Sequence, residues 1–338
     1  MRNFIKISLF IIVFVLVKTT FSQDIHFSQF YASPLSLSPY QTGNYNGDWR
    51  FMHNYRTQWR SISEPFNTIS VGYDRNFYIY NEQLSGGIFF INDKSGDASL
   101  TINKIYLSMA YHKTINNNNL HFGIQPGYVM KSFGVDGTTF PNQFDMTSGQ
   151  FSSDLDNNET TLEEDLSYFD INAGVAWSRK FNKIEPIFGL SFFHITHPKE
   201  SFLPDNNHLP MRTSIYGGAN FDIFGKIVLM PHLIYMRHKR ATEFLLGNNF
   251  GYKFKENEFK INMLYAGLFF RDGLDLKMDA FIAVAGIRVY NFDIGFSYDF
   301  NISPLKVATG MKGALEFSLI YTGASTLLQK IAIPCDRY

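Results

Sequence analysis

The sequence predicts an all-β fold: a transmembrane outer-membrane β-barrel of about 14 antiparallel strands, with an ordered non-strand segment before the first strand. Three observations predict it. The chain begins with a secretory signal, many segments alternate apolar and polar residues over ten or more positions, and short and long connections alternate along the chain. Each observation is independent of the other two, so their agreement strengthens the prediction.

The first 22 residues have the three parts of a signal peptide. Arg2 and Lys6 give a positive start, residues 7–17 are almost unbroken apolar sequence, and small residues precede a cleavage site after Ser22. The apolar run has about eleven residues and a membrane-spanning helix needs about twenty, so a retained anchor is the weaker alternative. Cys335 is the only cysteine, which excludes an intramolecular disulfide and, because none lies at the cleavage site, argues against a lipoprotein.

Composition narrows the class further. The formal net charge is zero, so no basic excess suggests a nucleic-acid partner. The 35 phenylalanines and 19 tyrosines, behind a signal peptide and without a second long apolar run, fit either an outer-membrane barrel or a secreted β-sandwich. The pattern along the chain has to decide between these two.

Segment length favours the barrel. Residues 169–178, 212–222, 291–302 and 312–321 alternate, in segments of about ten to fourteen residues, whereas sandwich strands have about five or six residues. About ten tilted residues are enough to cross a bilayer. Aromatic residues near segment ends, among them Trp49, Trp59 and Trp177, fit interfacial girdles. We expect strands to begin near residues 48, 66, 83, 99, 119, 166, 183, 210, 226, 241, 257, 278, 291 and 311.

The connections between these segments supply the topology. Even-numbered gaps are short, and odd-numbered gaps are mostly longer, the longest covering residues 132–165. Outer-membrane barrels have tight periplasmic turns and long outer loops. The pattern therefore predicts a signal peptide over residues 1–22, an N-terminal periplasmic or lumenal segment over 23–47, a barrel over 48–322 and a periplasmic tail over 323–338. Both termini are expected in the periplasm.

Charged residues on the polar faces of the segments are expected to point into the lumen. We expect them to pair across the lumen rather than line an open pore, because buried charges must be matched or solvated. These residues are Asp170, Arg212, Asp222, Arg237, Glu243, Lys260, Asp279, Arg288, Asp293, Asp299, Lys312 and Glu316.

Metal binding and catalysis have weak support in the sequence. His194 and His197 have a spacing that suits a helix rather than a strand, and we interpret them as a pair at a loop entry. Asp154, Asp156 and Glu159 are a weak Ca²⁺ candidate, but the region lacks the ordered spacing of a calcium loop. No motif brings a nucleophile and a base together, so we expect no enzyme and no cofactor.

The segment before the first strand is unusual for a linker. Pro34 and Pro39 exclude a regular helix or ladder through it, yet it contains Phe27, Phe30 and Tyr31 among its aromatic residues. Linkers are usually poor in aromatics. We therefore expect this segment to make ordered contacts with the barrel lumen or its periplasmic mouth.

Two motifs in this region and one at the C-terminus resemble a known family. The sequence QDIHFSQF begins at Gln23 and includes His26, Phe27, Ser28, Gln29 and Phe30; Pro34, Pro39 and Gly43 follow, and then Tyr55, Arg56, Gln58 and Trp59 in the sequence YRTQW. The tail contains Pro334 and Arg337. In these features the chain resembles the PorP/SprF family of type IX secretion outer-membrane proteins from the Bacteroidota, although Ser38-Pro39-Tyr40 departs from the family's usual Asn-Pro-Ala.

The resemblance implies a non-enzymatic component of the type IX secretion and gliding system. It would bind the C-terminal domain of a large, adhesin-like secreted protein, help to export it or anchor it at the cell surface, and contact other type IX components and the lipid bilayer. The motif residues would then be partner-binding or structural. An outer-membrane channel for lipophilic or nutrient solutes is the alternative function.

Overall fold

Fourteen long antiparallel strands close into a barrel in the computed structural model. The structure describes residues 25–61, 64–80, 82–96, 100–134, 141–146, 148–152, 155, 165–202, 206–239, 241–254, 260–273, 278–304 and 306–324. The predicted signal peptide, Gln23, the acidic residues Asp154, Asp156 and Glu159, and the tail residues Pro334, Cys335 and Arg337 lie outside these ranges.

Each strand of the barrel pairs with its neighbours in sequence, and the first pairs with the last. Two further strands, β6 and β7, form a small separate hairpin inside the longest connection. The strands are β1 Trp49–Gln58, β2 Phe66–Ile79, β3 Glu82–Ser95, β4 Leu100–Ile115, β5 Asn118–Ser132, β6 Phe144–Asp145, β7 Gln150–Phe151, β8 Asp165–Arg179, β9 Ile184–Phe193, β10 Arg212–Ile223, β11 Ile227–His238, β12 Ala241–Lys253, β13 Ile261–Asp272, β14 Met278–Val289, β15 Phe292–Asn301 and β16 Lys312–Gly323.

The two ends of the barrel differ. At one end, here called the turn mouth, β1 begins and β16 ends, and connections such as 116–117 and 290–291 have only a few residues. At the other end, here called the loop mouth, lie the long connections 133–164 and 194–211 and the short helix Lys306–Thr309. The predicted alternation of short and long connections is therefore present in the fold.

Alternation along each strand separates a lipid-type face from a lumen face. In β2, Ile69, Val71 and Tyr73 are exposed on the outside, whereas Ser70 and Asp74 are buried on the inside. The same exposure of large apolar side chains recurs around the barrel, as expected for a surface that contacts hydrocarbon. Among the described residues, no helix is both long enough and apolar enough to cross a membrane.

The fold class is confirmed, and the expected strand starts agree with the observed ones to within four residues, the largest difference being 257 against Ile261. Residues 76–83 were expected to be a connection. Most of them are strand instead, because the ladder between β2 and β3 continues through Asn76↔Ser85 to Ile79↔Glu82.

Two of the charges expected in the lumen do not point there. Arg237 is exposed and out of phase with Ile234 and Met236, which pack inside; it is one residue from the end of β11, where a long side chain can reach polar surroundings. Lys260 precedes β13 and is exposed. Asp170, Arg212, Glu243, Asp299 and Glu316 are buried inside, as predicted.

Candidate functional site: a lumen filled by the N-terminal segment

Residues 25–47, here called the plug, fill the lumen. The plug contains a 3-10 turn at Phe30–Ala32, a one-turn helix at Pro34–Leu37 and a second 3-10 turn at Pro39–Gln41. Both prolines occupy the first positions of turns, where the missing N–H leaves no unsatisfied bond. The ordered contacts predicted for this segment are therefore contacts with the lumen itself.

The plug crosses the lumen from one mouth to the other. His26 lies 3.4 Å from Glu243 near the loop-mouth end of β12, and Ile25 lines a small pocket there with Phe193 and Arg212. At the other end, the N–H of Asp48 donates to Gly323 at the turn mouth. The first described residue, Ile25, thus lies at the mouth opposite to the one where β16 ends. The two termini themselves, which are expected in the periplasm, lie outside the described residues.

A buried cluster of four charges holds the plug near the loop mouth. This loop-mouth charge cluster consists of Arg56, Arg271, Asp299 and Glu316, all at most 4 % exposed. Arg56 and Glu316 are direct partners across the seam between β1 and β16 and form an ion pair. Nη2 of Arg271 lies 3.0 Å from Oδ2 of Asp299. Two guanidinium groups thus balance two carboxylates, as a desolvated cluster requires.

The plug completes the hydrogen bonding of this cluster. The backbone N–H of Ser28 donates to Oε1 of Glu316 at 2.7 Å, and that of Gln29 donates to Oε2 at 2.9 Å. The Ser28 hydroxyl donates to Asp299 at 2.7 Å and accepts from Arg56 at 2.7 Å. Bonds to charged partners are stronger than neutral ones, so this is the firmest attachment of the plug.

Gln29 extends the attachment along the same wall of the barrel. Its amide nitrogen donates to Ser297 at 3.2 Å, and its amide oxygen accepts from Ser318 at 3.0 Å. Gly295 makes room for it, since a Cβ there would lie 2.4 Å from the Gln29 oxygen. The side chain is therefore held by donors, acceptors and shape together.

Lumen-facing glycines admit the middle of the plug. A Cβ at Gly123 would lie 2.2 Å from the backbone of Pro39, and one at Gly189 would lie 2.1 Å from the Tyr40 hydroxyl oxygen. Leu35 and Tyr40 are fully buried there. Burial of side chains of this size contributes about 1.5–3 kcal/mol each, so the apolar middle adds to the polar attachment.

Near the turn mouth, the buried ion pair of Arg50 and Asp74 holds the end of the plug. Arg50 donates twice to Asp74, at 3.1 and 2.7 Å, and once to the Gln41 carbonyl at 3.0 Å. Asp74 also accepts the N–H of Gly43 at 2.7 Å. Gly43 has a φ of 72°, which favours glycine. The Tyr45 hydroxyl donates to the Asp74 carbonyl, and burial, with a smaller contribution from the Asp74 carboxylate, raises the pKa of Tyr45 and keeps this donor protonated.

Two buried histidines fix the plug on the adjacent strands. Nε2 of His112 lies 2.7 Å from the Thr42 carbonyl and can only donate to it. Its Nδ1 is then free to accept from Nδ1 of His121 at 2.7 Å, and Nε2 of His121 accepts from Ser178 at 2.9 Å. The plug carbonyl thus sets the tautomers of both rings.

The structure brings together some of the predicted site residues and separates others. Arg56 of the YRTQW motif meets Ser28 of the QDIHFSQF motif and also donates to Gln58 at 3.0 Å. Tyr55 and Trp59 lie away from the plug. The former donates to Asn67 on β2, and the latter packs its ring against Phe66. The other described site residues are His26, Phe27, Gln29, Phe30, Pro34, Pro39 and Gly43, all in the plug.

Several residues that hold the plug were missed in the sequence. The alternation pattern does not mark Arg271, Arg50, His112 or His121 as contacts of the plug. A signal was present: glycines recur on the polar faces of strands, as at Gly174 and Gly295, where a lumen filled by backbone would need them. Which strand faces which across a barrel cannot be derived from one sequence.

The metal candidates do not assemble in the described part of the chain. His194 is buried against Asp170, with Nδ1 2.8 Å from the carboxylate, whereas His197 is exposed at the start of the connection to β10. The pair therefore stands at a loop entry, as interpreted. Within the described ranges no group of three or more His, Cys, Asp or Glu residues could hold a metal ion.

Comparison with known proteins settles the family. Residues 19–321 match the family described as "Type IX secretion system membrane protein PorP/SprF". The chain belongs to this family. The match covers the plug and almost the whole barrel. A search of curated proteins found no match.

Several solved structures are similar to this chain at very low sequence identity. The toluene transporter TbuX of Ralstonia pickettii is 8 % identical, with 86 % of this chain and 92 % of that chain covered and a TM-score of 0.49. The monoaromatic hydrocarbon channel CymD is 8 % identical, with 87 % and 93 % covered and a TM-score of 0.49. The β domain of the Bordetella autotransporter BrkA is 10 % identical, with 82 % and 100 % covered and a TM-score of 0.39.

Family membership and architecture together define the coarse role of this PorP/SprF protein. It is an outer-membrane β-barrel component of the type IX secretion system. Its strand exteriors contact the lipid bilayer, and its lumen holds its own N-terminal segment.

Proposed function

We propose that this PorP/SprF protein is a docking component for a secreted surface protein and not a conduit. The observation that carries the proposal is the plug. A segment tied to the wall by the loop-mouth charge cluster, the histidine pair and the ion pair of Arg50 and Asp74 obstructs the passage of a secreted chain. The same observation argues against the alternative, a solute channel. A docking role requires no chemical step and assigns no catalytic residue.

The loop mouth is the proposed docking side. Long loops of outer-membrane barrels face the cell surface, and this mouth carries the longest connections. The connection 194–211 contacts the end of β5 and the residues after it: Lys131 pairs with Glu200, and the rings of Phe133 and Phe202 pack 4.9 Å apart. The partner would be the C-terminal domain of a large, adhesin-like secreted protein.

The hairpin β6–β7 exposes apolar side chains at this mouth. Phe144, Met146 and Phe151 are 43, 92 and 51 % exposed, and the two phenylalanine rings contact each other. Exposed apolar patches rimmed by polar residues mark protein interaction sites. Tyr80 and Phe224, which are 95 and 89 % exposed at the turn mouth, provide matched exposed aromatics on the opposite side.

Affinity purification from native outer membranes tests the proposal. Replacing Phe144, Met146 and Phe151 by serine should reduce recovery of the secreted partner while leaving the barrel folded. Replacing Tyr80 and Phe224 by serine should not. The docking proposal is wrong if the turn-mouth variant alone loses the partner, or if the unmodified protein recovers no secreted chain. Ion conductance by the intact protein in planar bilayers would support a channel instead.

The proposal includes an orientation of the barrel in the membrane, which has its own test. With the loop mouth outside, the processed N-terminus would emerge at the cell surface and the C-terminal strand would end in the periplasm. In a Cys335→Ser background, a cysteine inserted before Ile25 should react with an impermeant maleimide on intact cells, as should Ser148→Cys. Asn117→Cys should react only after permeabilisation. The opposite labelling pattern would invert the barrel.

A further inference from the structure

The outer face of the barrel carries a groove that crosses β3, β4, β5, β8 and β9. The groove has a volume of about 740 Å³. Its floor is formed at strand positions whose side chains are small or face the lumen, such as Ala110 and Gly123. Exposed apolar side chains form its walls, namely Leu84, Met109, Phe122, Ile124 and Val175. The groove is therefore open to the hydrocarbon of the membrane.

One row of cross-strand partners gives the direction of the groove. The row begins at Trp49, the first residue of β1, and passes through Arg75 and Gly86 to Met109. It ends at Phe192, one residue before the end of β9. Trp49 stands at the turn mouth, whereas β9 ends at the loop mouth. Because the strands of a barrel are tilted against its axis, the groove runs obliquely from the turn-mouth side into the membrane.

A cation stands at the turn-mouth end of this row. Arg75 is exposed on the outer face of β2, between Asp74 and Asn76, which are buried on the lumen side. No carboxylate among the described residues forms an ion pair with Arg75, and its guanidinium lies 5.8 Å from the ring of Phe77. Gly86 leaves the way from Arg75 to the groove open, since a Cβ there would meet nothing nearer than 3.8 Å. Arg75 is therefore placed to bind an anion whose apolar part lies in the groove.

Aromatic residues around Arg75 put it at the level of the lipid headgroups. Trp49 is its direct partner on β1, and the Trp49 ring lies 6.0 Å from that of Tyr73 and 5.0 Å from that of Tyr321. Tryptophan and tyrosine concentrate at the boundary between membrane and water. A long basic side chain at that boundary keeps its charge among polar groups while its stem covers apolar surface. The anion nearest to such a side chain is a lipid phosphate.

The other charges at this end of the groove are paired with each other. Lys113 and Glu82 form an ion pair, and the Tyr111 hydroxyl donates to Glu82 at 2.7 Å. Among the described residues beside the groove, Arg75 then contributes the unbalanced charge. One cation matches one phosphodiester and provides no partner for a headgroup ammonium. It favours an anionic phospholipid over a zwitterionic one, and also over lipid A, which carries more than one phosphate.

We propose that the groove binds an anionic glycerophospholipid, of the phosphatidylglycerol type, from the leaflet at the turn mouth. The Arg75 guanidinium donates to the phosphate oxygens, a geometry for which its planar fork is suited. One acyl chain lies in the groove against Met109, Phe122 and Ile124. The inference rests on the outer face of the barrel alone, so it stands or falls separately from the docking function.

Native mass spectrometry of the full-length protein in detergent micelles tests the proposal. The probes are dioleoylphosphatidylglycerol and dioleoylphosphatidylcholine, which share their acyl chains and phosphate and differ in the headgroup ammonium. We expect the wild-type protein to retain phosphatidylglycerol more tightly than phosphatidylcholine. Arg75→Gln should weaken retention of phosphatidylglycerol about tenfold, the factor expected when one hydrogen bond to a charged group is lost.

Matched controls exist for both parts of the site. Arg179 also lies at the turn-mouth end of its strand, with its guanidinium 4.8 Å from the ring of Phe181, but it does not line the groove. Arg179→Gln should therefore bind phosphatidylglycerol like the wild type. Ala173→Phe fills the groove without changing the charge and should weaken retention of both lipids. Ala285→Phe adds the same ring to the outer face of β14 and should not.

Heat-dependent gel mobility establishes that each variant is a folded barrel. The proposal is overturned if the wild-type protein retains both lipids equally, or if Arg75→Gln binds phosphatidylglycerol as well as Arg179→Gln does. It is also overturned if Ala173→Phe and Ala285→Phe bind alike. Retention of lipid A in preference to phosphatidylglycerol in the same titration would show that the occupant is wrong.

Discussion

Glu316→Gln tests the idea that one carboxylate joins the plug to the seam of the barrel. The substitution keeps the shape of the side chain but removes its charge, and it presents an NH₂ group to the N–H of Ser28 or Gln29. It also leaves Arg56 dependent on Asp299, 3.3 Å away. Breaking a buried pair costs about 3–5 kcal/mol, and since Arg56 retains one partner we expect a loss of about 3 kcal/mol in the free energy of unfolding.

Urea unfolding in detergent micelles, followed by the fluorescence of Trp49, Trp59 and Trp177, measures this loss. With a denaturant dependence of about 1–3 kcal/mol per molar urea, the midpoint should fall by about 1–3 M. Asp222→Asn is the control: its partner Lys253 is 2.5 Å away, but both side chains are about 40 % exposed, so water screens the pair. A midpoint for Glu316→Gln equal to that of Asp222→Asn would refute the role assigned to Glu316.

Three further outcomes follow from the same contacts. Gly123→Ala should lower the free energy of unfolding by about 1–3 kcal/mol, because its Cβ would lie 2.2 Å from the Pro39 backbone and overpack the lumen. Gly86→Ala is the control, since nothing lies nearer than 3.8 Å to its Cβ, and it should leave the urea midpoint unchanged. Equal midpoints for the two variants would contradict the close fit of the plug. Asp74→Asn should lower the free energy of unfolding by about 3 kcal/mol in the same titration, because Arg50 loses its buried counter-charge. An unchanged urea midpoint would show that the hydrogen bond from Arg50 to the Gln41 carbonyl is enough to hold the end of the plug. Deletion of residues 25–43 should open a pore that conducts ions in planar bilayers while the full-length protein does not; a silent deletion variant would show that other segments close the lumen.

The barrel could be predicted from the sequence because its signals are local. Alternation with a period of two, strand length and the parity of the connections each depend on short stretches of chain, and together they located fourteen strands. The exceptions are also local. Residues 76–83 extend two strands because Asn76 and Ser85 continue the ladder, and Arg237 leaves the lumen because it stands next to a strand end.

The site could be predicted only in part. The aromatic and proline content of residues 25–47 indicated an ordered segment, and the two motifs marked Ser28 and Arg56 without relating them to each other. Their meeting depends on Glu316, which lies 288 positions from Ser28, and on Asp299 and Arg271 on strands that face inward at the same height. No short-range sequence pattern predicts the position of a residue along the barrel axis, because that position depends on the tilt and register of all the strands.

The seam contact has a consequence for the closure of the barrel. The plug precedes β1 in the chain and bonds to both strands that close the ring, to Arg56 on β1 and to Glu316 on β16. Glu316 is the cross-strand partner of Arg56 and also accepts the amides of Ser28 and Gln29. Closure of the ring and binding of the plug therefore depend on the same carboxylate. A nascent barrel with an empty interior would bring Arg56 and Glu316 together with their remaining bonds unmade, and it would reopen more readily than a filled one.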